Sequence, residues 1–172
     1  KQMKKLTYLF LALLIVACSD DSSDDSNNGG DEQSSCPIYL DSNGITIKAC
    51  EDANVGDTGV INGLTYTVVD EAMLRQMAAN EEDVTKVVTT LVTDMSELFR
   101  LADDSPLTNF NQDISSWDVS NVTTMFFMFR RATNFNRPIG NWDVSSVTNM
   151  RSVFSSATSF NQPIGDWDVS NV

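Results

Sequence analysis

The chain has 172 residues, with 11 lysines and arginines against 24 aspartates and glutamates, a net charge of −13, and no histidine. So acidic a balance argues against nucleic acid and anionic lipid surfaces as partners. Without histidine, no side chain of ordinary pKa titrates near neutrality for acid–base catalysis, and there is no Gly-rich phosphate loop.

Residues 1–18 read as a targeting segment. Lys4 and Lys5 give a positive start, and residues 6–17 form an apolar run too short to span a bilayer comfortably. The run ends Ile15-Val16-Ala17-Cys18, which resembles the lipobox of bacterial lipoproteins. That resemblance implies an acylated Cys18 at the mature N-terminus; the alternative is an ordinary secretory peptide with an incidental cysteine. Ser19-Asp20-Asp21 is similar, more weakly, to the surface-export signal of some Gram-negative lipoproteins. The expectation is an exported protein on a bacterial outer membrane or cell surface, held by two or three acyl chains. Residues 19–35 contain only Ser, Asp, Asn, Gly, Glu and Gln, so they bury nothing and are expected to be a disordered acidic tether.

Residues 36–54 read as a hairpin. Ile38-Tyr39-Leu40 and Ile45-Thr46-Ile47 flank Ser42-Asn43-Gly44, a three-residue loop with glycine at the left-handed position. A register centred on Asn43 places Cys36 opposite Cys50, and export permits a disulfide between them. Two cysteines without histidine make a poor metal site. Asp41-Ser42-Asn43-Gly44 lacks the downstream bidentate glutamate of a calcium loop. No metal or cofactor is expected.

Residues 55–90 hold a second hairpin, turning at Asn62-Gly63 between Val60-Ile61 and the alternating run from Leu64 to Val69. Asp70 then N-caps a helix from Glu71 to about Ala79, with Met73, Leu74 and Met77 as its buried stripe. This region is expected to be an N-terminal cap, shielding the first apolar edge of residues 91–172.

In residues 91–172 the sequence repeats itself. Phe110, Ile114, Trp117, Val119 and Val122 return as Phe135, Ile139, Trp142, Val144 and Val147, then as Phe160, Ile164, Trp167, Val169 and Val172, in steps of 25 residues. Met125, Phe129 and Ala132 match Met150, Phe154 and Ala157. A divergent copy precedes them at Met95 and Phe99, offset by a turn-rich insertion at 103–107. A fixed period in this range predicts a solenoid. Met125 and Phe129, four apart, suggest a short helical turn, so the expected fold is an α+β stack of strand–turn–short-helix units. Asp118, Asp143 and Asp168 form a polar column, as do Asn111, Asn136 and Asn161. These are either a calcium or carboxylate ladder or, as we read them, side chains that capture backbone amides and fix a turn in every unit. The tryptophans read as core rather than a sugar platform.

The pattern Phe-Asn-Gln-Pro-Ile-Gly-x-Trp-Asp-Val-Ser-Asn-Val resembles the repeat of about 26 residues in the BspA-like leucine-rich-repeat class of bacterial surface proteins. Departures are small: Asp113-Ile114-Ser115 replaces Pro-Ile-Gly, Ser146 replaces Asn, and Val153 stands where Met128 stands in the first copy. The pattern breaks off mid-unit at Val172 without a polar capping coil, so further repeats are expected beyond it. The resemblance implies a leucine-rich-repeat-like solenoid on cell-surface lipoproteins, associated with adhesion or protein binding and not with catalysis. The alternatives are a passive surface spacer and the repeat region of a larger protein with an enzymatic domain elsewhere. A solenoid scaffold does not by itself name its ligand, a protein or other cell-surface molecule.

Between the fixed Met and Phe of each unit, one copy has Phe126-Phe127-Met128, the next Arg151-Ser152-Val153, and the divergent copy Ser96-Glu97-Leu98. The first two places are polar elsewhere, so Phe126 and Phe127 are expected to be exposed unless the insertion folds over them. With Arg130 they are the candidate partner-binding residues, since aromatics and arginine are enriched at interaction hot spots.

Overall fold

The computed structural model describes residues 37–99, 105 and 107–172. The expected leader with Cys18, the expected tether, Cys36 and most of the insertion lie outside these residues.

The regular structure is concentrated before the repeats. Strands β1 (Ile38–Leu40) and β2 (Ile47–Ala49) pair antiparallel, and β3 (Thr58–Ile61), β4 (Leu64–Val68) and β5 (Val87–Val88) form a second sheet in the order β3-β4-β5. Asn62 and Gly63, at φ 52° and 78°, make the left-handed two-residue turn between β3 and β4. Helix α1 (Glu71–Ala79) starts at Asp70, whose Oδ1 accepts the Met73 amide at 2.8 Å, satisfying one of the donors a helix N-terminus leaves open. Ile38, Ile47, Ala49, Val68 and Val88 form a small core between the sheets. Gly59 is required there, because a Cβ would run into the Ile38 side chain.

The β1–β2 register differs from the one read from the sequence. Ile38 faces Ala49 and Leu40 faces Ile47, while the Cys50 amide donates to the Pro37 carbonyl at 2.9 Å. The pairing therefore centres one half-step later than Asn43, and Cys50 lies opposite Pro37. The cause is the turn: Asn43 Oδ1 accepts the amides of both Ile45 and Thr46 at 2.9 Å, drawing Ile45 into the loop.

The expected leucine-rich-repeat-like solenoid of strand–turn–short-helix units is not formed. Among the described residues the helix is α1 and every strand precedes residue 89; the repeated region is built of turns, with isolated bridges joining Asp94, Thr124 and Asn149. The reason lies in the backbone between the spaced Met and Phe. Glu97, Phe127 and Ser152 take φ of 55°, 57° and 55°, and Arg131 and Ser156 take 61°. A left-handed residue midway between Met125 and Phe129 cannot belong to a right-handed helical turn. The chain instead makes tight turns, with Met128, Arg130 and Ala132 donating to Met125, Phe127 and Phe129. The alternate amides of Phe127, Phe129 and Arg131 donate to the carbonyls of Arg151, Val153 and Ser155.

The apolar columns supply the main core. Trp117 and Trp142 lie with ring centroids 6.4 Å apart and 2° from parallel, and Trp142 and Trp167 repeat that geometry. Each indole N–H is satisfied, by the carbonyls of Val84, Ile114 and Ile139 at 3.0–3.2 Å. Leu74 and Ala78 of α1 join Trp117, Phe129 and Phe135 in one buried cluster. Arg75 fastens the helix to the divergent copy by donating to the carbonyls of Ser96 at 2.7 Å and Asp94 at 3.0 Å.

Candidate functional site

The side chains of Asp118, Asp143 and Asp168 are turn residues. Their Oδ1 atoms accept the amides of Ser120, Ser145 and Ser170 at 3.0–3.1 Å. Asp118 is buried, and its second oxygen accepts from Thr90 Oγ1 at 2.7 Å. The asparagines do something else: Asn111 and Asn136 each accept the amide of the asparagine one copy further on, at 3.0 and 2.9 Å.

A groove of about 220 Å³ separates the first hairpin from this column, lined by Asp41, Asn43, Lys48, Asp118, Asn141 and Asp143 among others. The sequence holds no sign of it, because it arises where β2 docks against the turn of the first copy, the Ile47 amide donating to the Ser116 carbonyl at 2.9 Å. Of its three carboxylates and one cation, Asp41 and Lys48 form an ion pair, leaving Asp118 and Asp143 as its remaining charges. Lys48 Nζ lies 2.8 Å from Asp41 Oδ2, and this bond, with a second from Ser42, holds the Asp41 carboxyl at about 2, below the usual carboxylate value. Lys48 is correspondingly shifted upward by the same bond. Among the described residues no cluster of three or more carboxylate or thiol side chains is placed to hold a metal ion.

The residues singled out for partner binding are brought together. The Phe126 and Phe127 rings lie 3.9 Å apart, and the Arg130 guanidinium sits 4.6 Å from the Phe127 centroid, within cation–π range. All three are half-buried, whereas Met128 and Phe129 beside them are fully enclosed. Neither Phe126 nor Phe127 belongs to either core cluster or to the partly buried residues packed against one.

Position 127 makes this more pointed. Its left-handed backbone suits Gly or Asn and costs a bulky side chain about 1–2 kcal/mol. Phe127 stands there, where the equivalent places hold Glu97 and Ser152. The left-handed backbone is thus common to all three copies, and at 127 it carries an aromatic ring that packs on Phe126 and under Arg130. Of the insertion, Ser105 and Leu107 are described, and Leu107 is buried in the main core, its amide donating to the Phe99 carbonyl at 2.9 Å. Of the two cysteines expected to pair, Cys50 is half-buried just beyond β2 and Cys36 lies outside the described residues.

Among the described residues, two small sheets, a helix and a turn-built repeated region thus carry a face of paired aromatics under an arginine. The chain belongs to the DUF285 family, whose model, described as a Mycoplasma protein of unknown function, matches residues 69–172. No curated protein and no solved structure matches it. Among the described residues no helix is long and apolar enough to cross a membrane.

Proposed function

We propose that this is a non-enzymatic binding protein, exported and held at the bacterial surface through a lipid on Cys18, with Phe126, Phe127 and Arg130 as its protein-docking face. The observation that carries the reading is the ring pair itself. It is half-exposed, outside the core, capped by a guanidinium, and set at a backbone position that disfavours it. The lipobox-like Ile15-Val16-Ala17-Cys18 and the resemblance to bacterial surface repeats support the location. The role in adhesion or surface protein binding rests on placing such a face outside the cell.

The test is a Phe126→Ser, Phe127→Ser variant of the full surface protein. Attachment to host or neighbouring bacterial cells is expected to fall while the folded protein persists. A variant that unfolds, or that attaches as well as the parent, contradicts the proposal. Acylation is tested separately: fatty-acid labelling disappears in Cys18→Ala if Cys18 is the anchor.

A further inference from the structure

Charge on this acidic protein is unevenly placed. Among the described residues the ion pairs engage Lys48 with Asp41, and Arg75 with Glu71 and Asp94. Arg137 is occupied too, its Nε donating to the Asn111 carbonyl at 2.7 Å. The arginines around the ring pair are used differently. Arg130 lies over Phe127, while Arg131 and Arg151 are exposed and enter none of these ion pairs. The backbone of Arg151 runs beside that of Phe127, its carbonyl accepting the Phe127 amide at 3.2 Å, and Arg151 holds the place in the next copy that Phe126 holds in this one. Arg131 is held beside that segment by the bond from its own amide to the Ser155 carbonyl at 2.8 Å. The nearest acidic residue in the backbone network is Glu97, whose amide donates to the Phe126 carbonyl at 2.8 Å.

We infer that Phe126, Phe127, Arg130, Arg131 and Arg151 form one docking surface for an acidic protein segment that carries an aromatic or aliphatic anchor. This rests on the docking face proposed above and names the chemistry of its partner. Three guanidiniums in a chain of net charge −13 give a local positive field against a repelling background. An acidic partner is steered to that spot and held away from the rest of the surface. Arginine is suited to the task because its planar fork takes a carboxylate by two parallel hydrogen bonds. The paired rings beside Arg130 offer the apolar contact that charge alone does not provide. A binding site of this composition excludes basic peptides by repulsion and neutral ones by leaving its guanidiniums unmatched.

The experiment uses the whole chain and a fluorescein-labelled peptide alternating glutamate with phenylalanine, read by anisotropy. Its controls are the glutamine–phenylalanine peptide, heparin, and vesicles of phosphatidylglycerol. The acidic peptide is expected to bind, and to weaken by about tenfold or more in Arg130→Gln, Arg131→Gln, Arg151→Gln. The triple lysine variant retains part of the affinity, as a point charge without the fork does. The glutamine peptide is expected not to bind. Equal binding of the two peptides, an unaffected triple glutamine variant, or binding of heparin or vesicles in place of the acidic peptide overturns the inference. The two levels separate in the cell-attachment assay. Loss in Phe126→Ser, Phe127→Ser but not in the triple glutamine variant keeps the docking face and removes its acidic partner. No loss in the phenylalanine variant removes the docking face itself.

Discussion

The two halves of this molecule obtain their order in different ways. From Ile38 to Val88 it comes from conventional elements with local stop signals: Asp70 at the start of α1, Asn62-Gly63 in the hairpin, a small core between two sheets. In the repeated region almost nothing is regular in the local sense. Turns succeed one another, and equivalent residues of successive copies supply each other's partners, indole upon indole and asparagine to asparagine. The turn and helix cap of the first half are set by their own residues, whereas the repeated region draws many of its partners from the neighbouring copy. Substitutions that remove a copy-to-copy contact should therefore outweigh those that remove a local one.

The largest effect expected is at Trp142, which lies between Trp117 and Trp167 and is almost fully buried. Trp142→Ala should destabilise by about 3–5 kcal/mol in urea titrations, and Trp167→Ala, partly exposed and contacted on one side, by clearly less. Equal losses would mean that the indoles act singly. Next comes Asp118, buried with both oxygens committed to Thr90 and Ser120. Asp118→Ala should cost about 2 kcal/mol, because it removes three hydrogen bonds, from the Thr90 hydroxyl and from the Ser120 amide and hydroxyl. The same change at exposed Asp143 should cost under about 1 kcal/mol, since only the solvent-accessible turn bonds from Ser145 are lost. On the local side, Asp70→Ala should cost about 1 kcal/mol through the lost helix cap. A loss at Asp70 as large as that at Trp142 would break the contrast between the halves.

The smallest effect is also the most specific. The Asp41 carboxyl is held at about 2 by Lys48 and Ser42, below the value near 3.9 expected of an unfolded chain. A depressed carboxylate contributes stability that is complete above the unfolded value and lost as pH falls through the folded one. The Asp41–Lys48 contribution should therefore fade between about pH 4 and pH 2. Both side chains keep roughly a quarter of their surface in water, so its size is about 0.2–1 kcal/mol. In Asp41→Asn, acid titrations of stability should lose this part of their slope.

Legibility in the sequence divides along the same line. The N-cap at Asp70 and the Asn62-Gly63 turn are local signals, written in the residues that make them. The columns of Phe, Trp and Val pick out core residues in the first two full copies, because burial there depends on the period and not on the element, whereas Val169 and Val172 of the third copy are exposed. The columns do not identify the element itself. A Met and a Phe four apart look the same whether the residue between them is right- or left-handed, and Phe127 carries no composition cue for positive φ. The hairpin register is hidden for a different reason: Asn43 captures two amides, a choice between loops of similar length. The groove beside Lys48 is not legible at all, being made by contact between residues some 70 positions apart in the chain, Ile47 and Ser116. The aromatic face is legible because it is a difference between copies, and differences stand out against a period.

The docking face stands or falls on Phe127 being present for something other than folding. Replacing it with asparagine, which tolerates the left-handed backbone, tests this directly in a thermal melt of the full chain. The expected result is a midpoint unchanged or raised, with relief of up to about 1 kcal/mol of backbone strain. A midpoint lowered by several degrees would show that the ring is part of the packing that holds the repeated region together, and would remove the docking face.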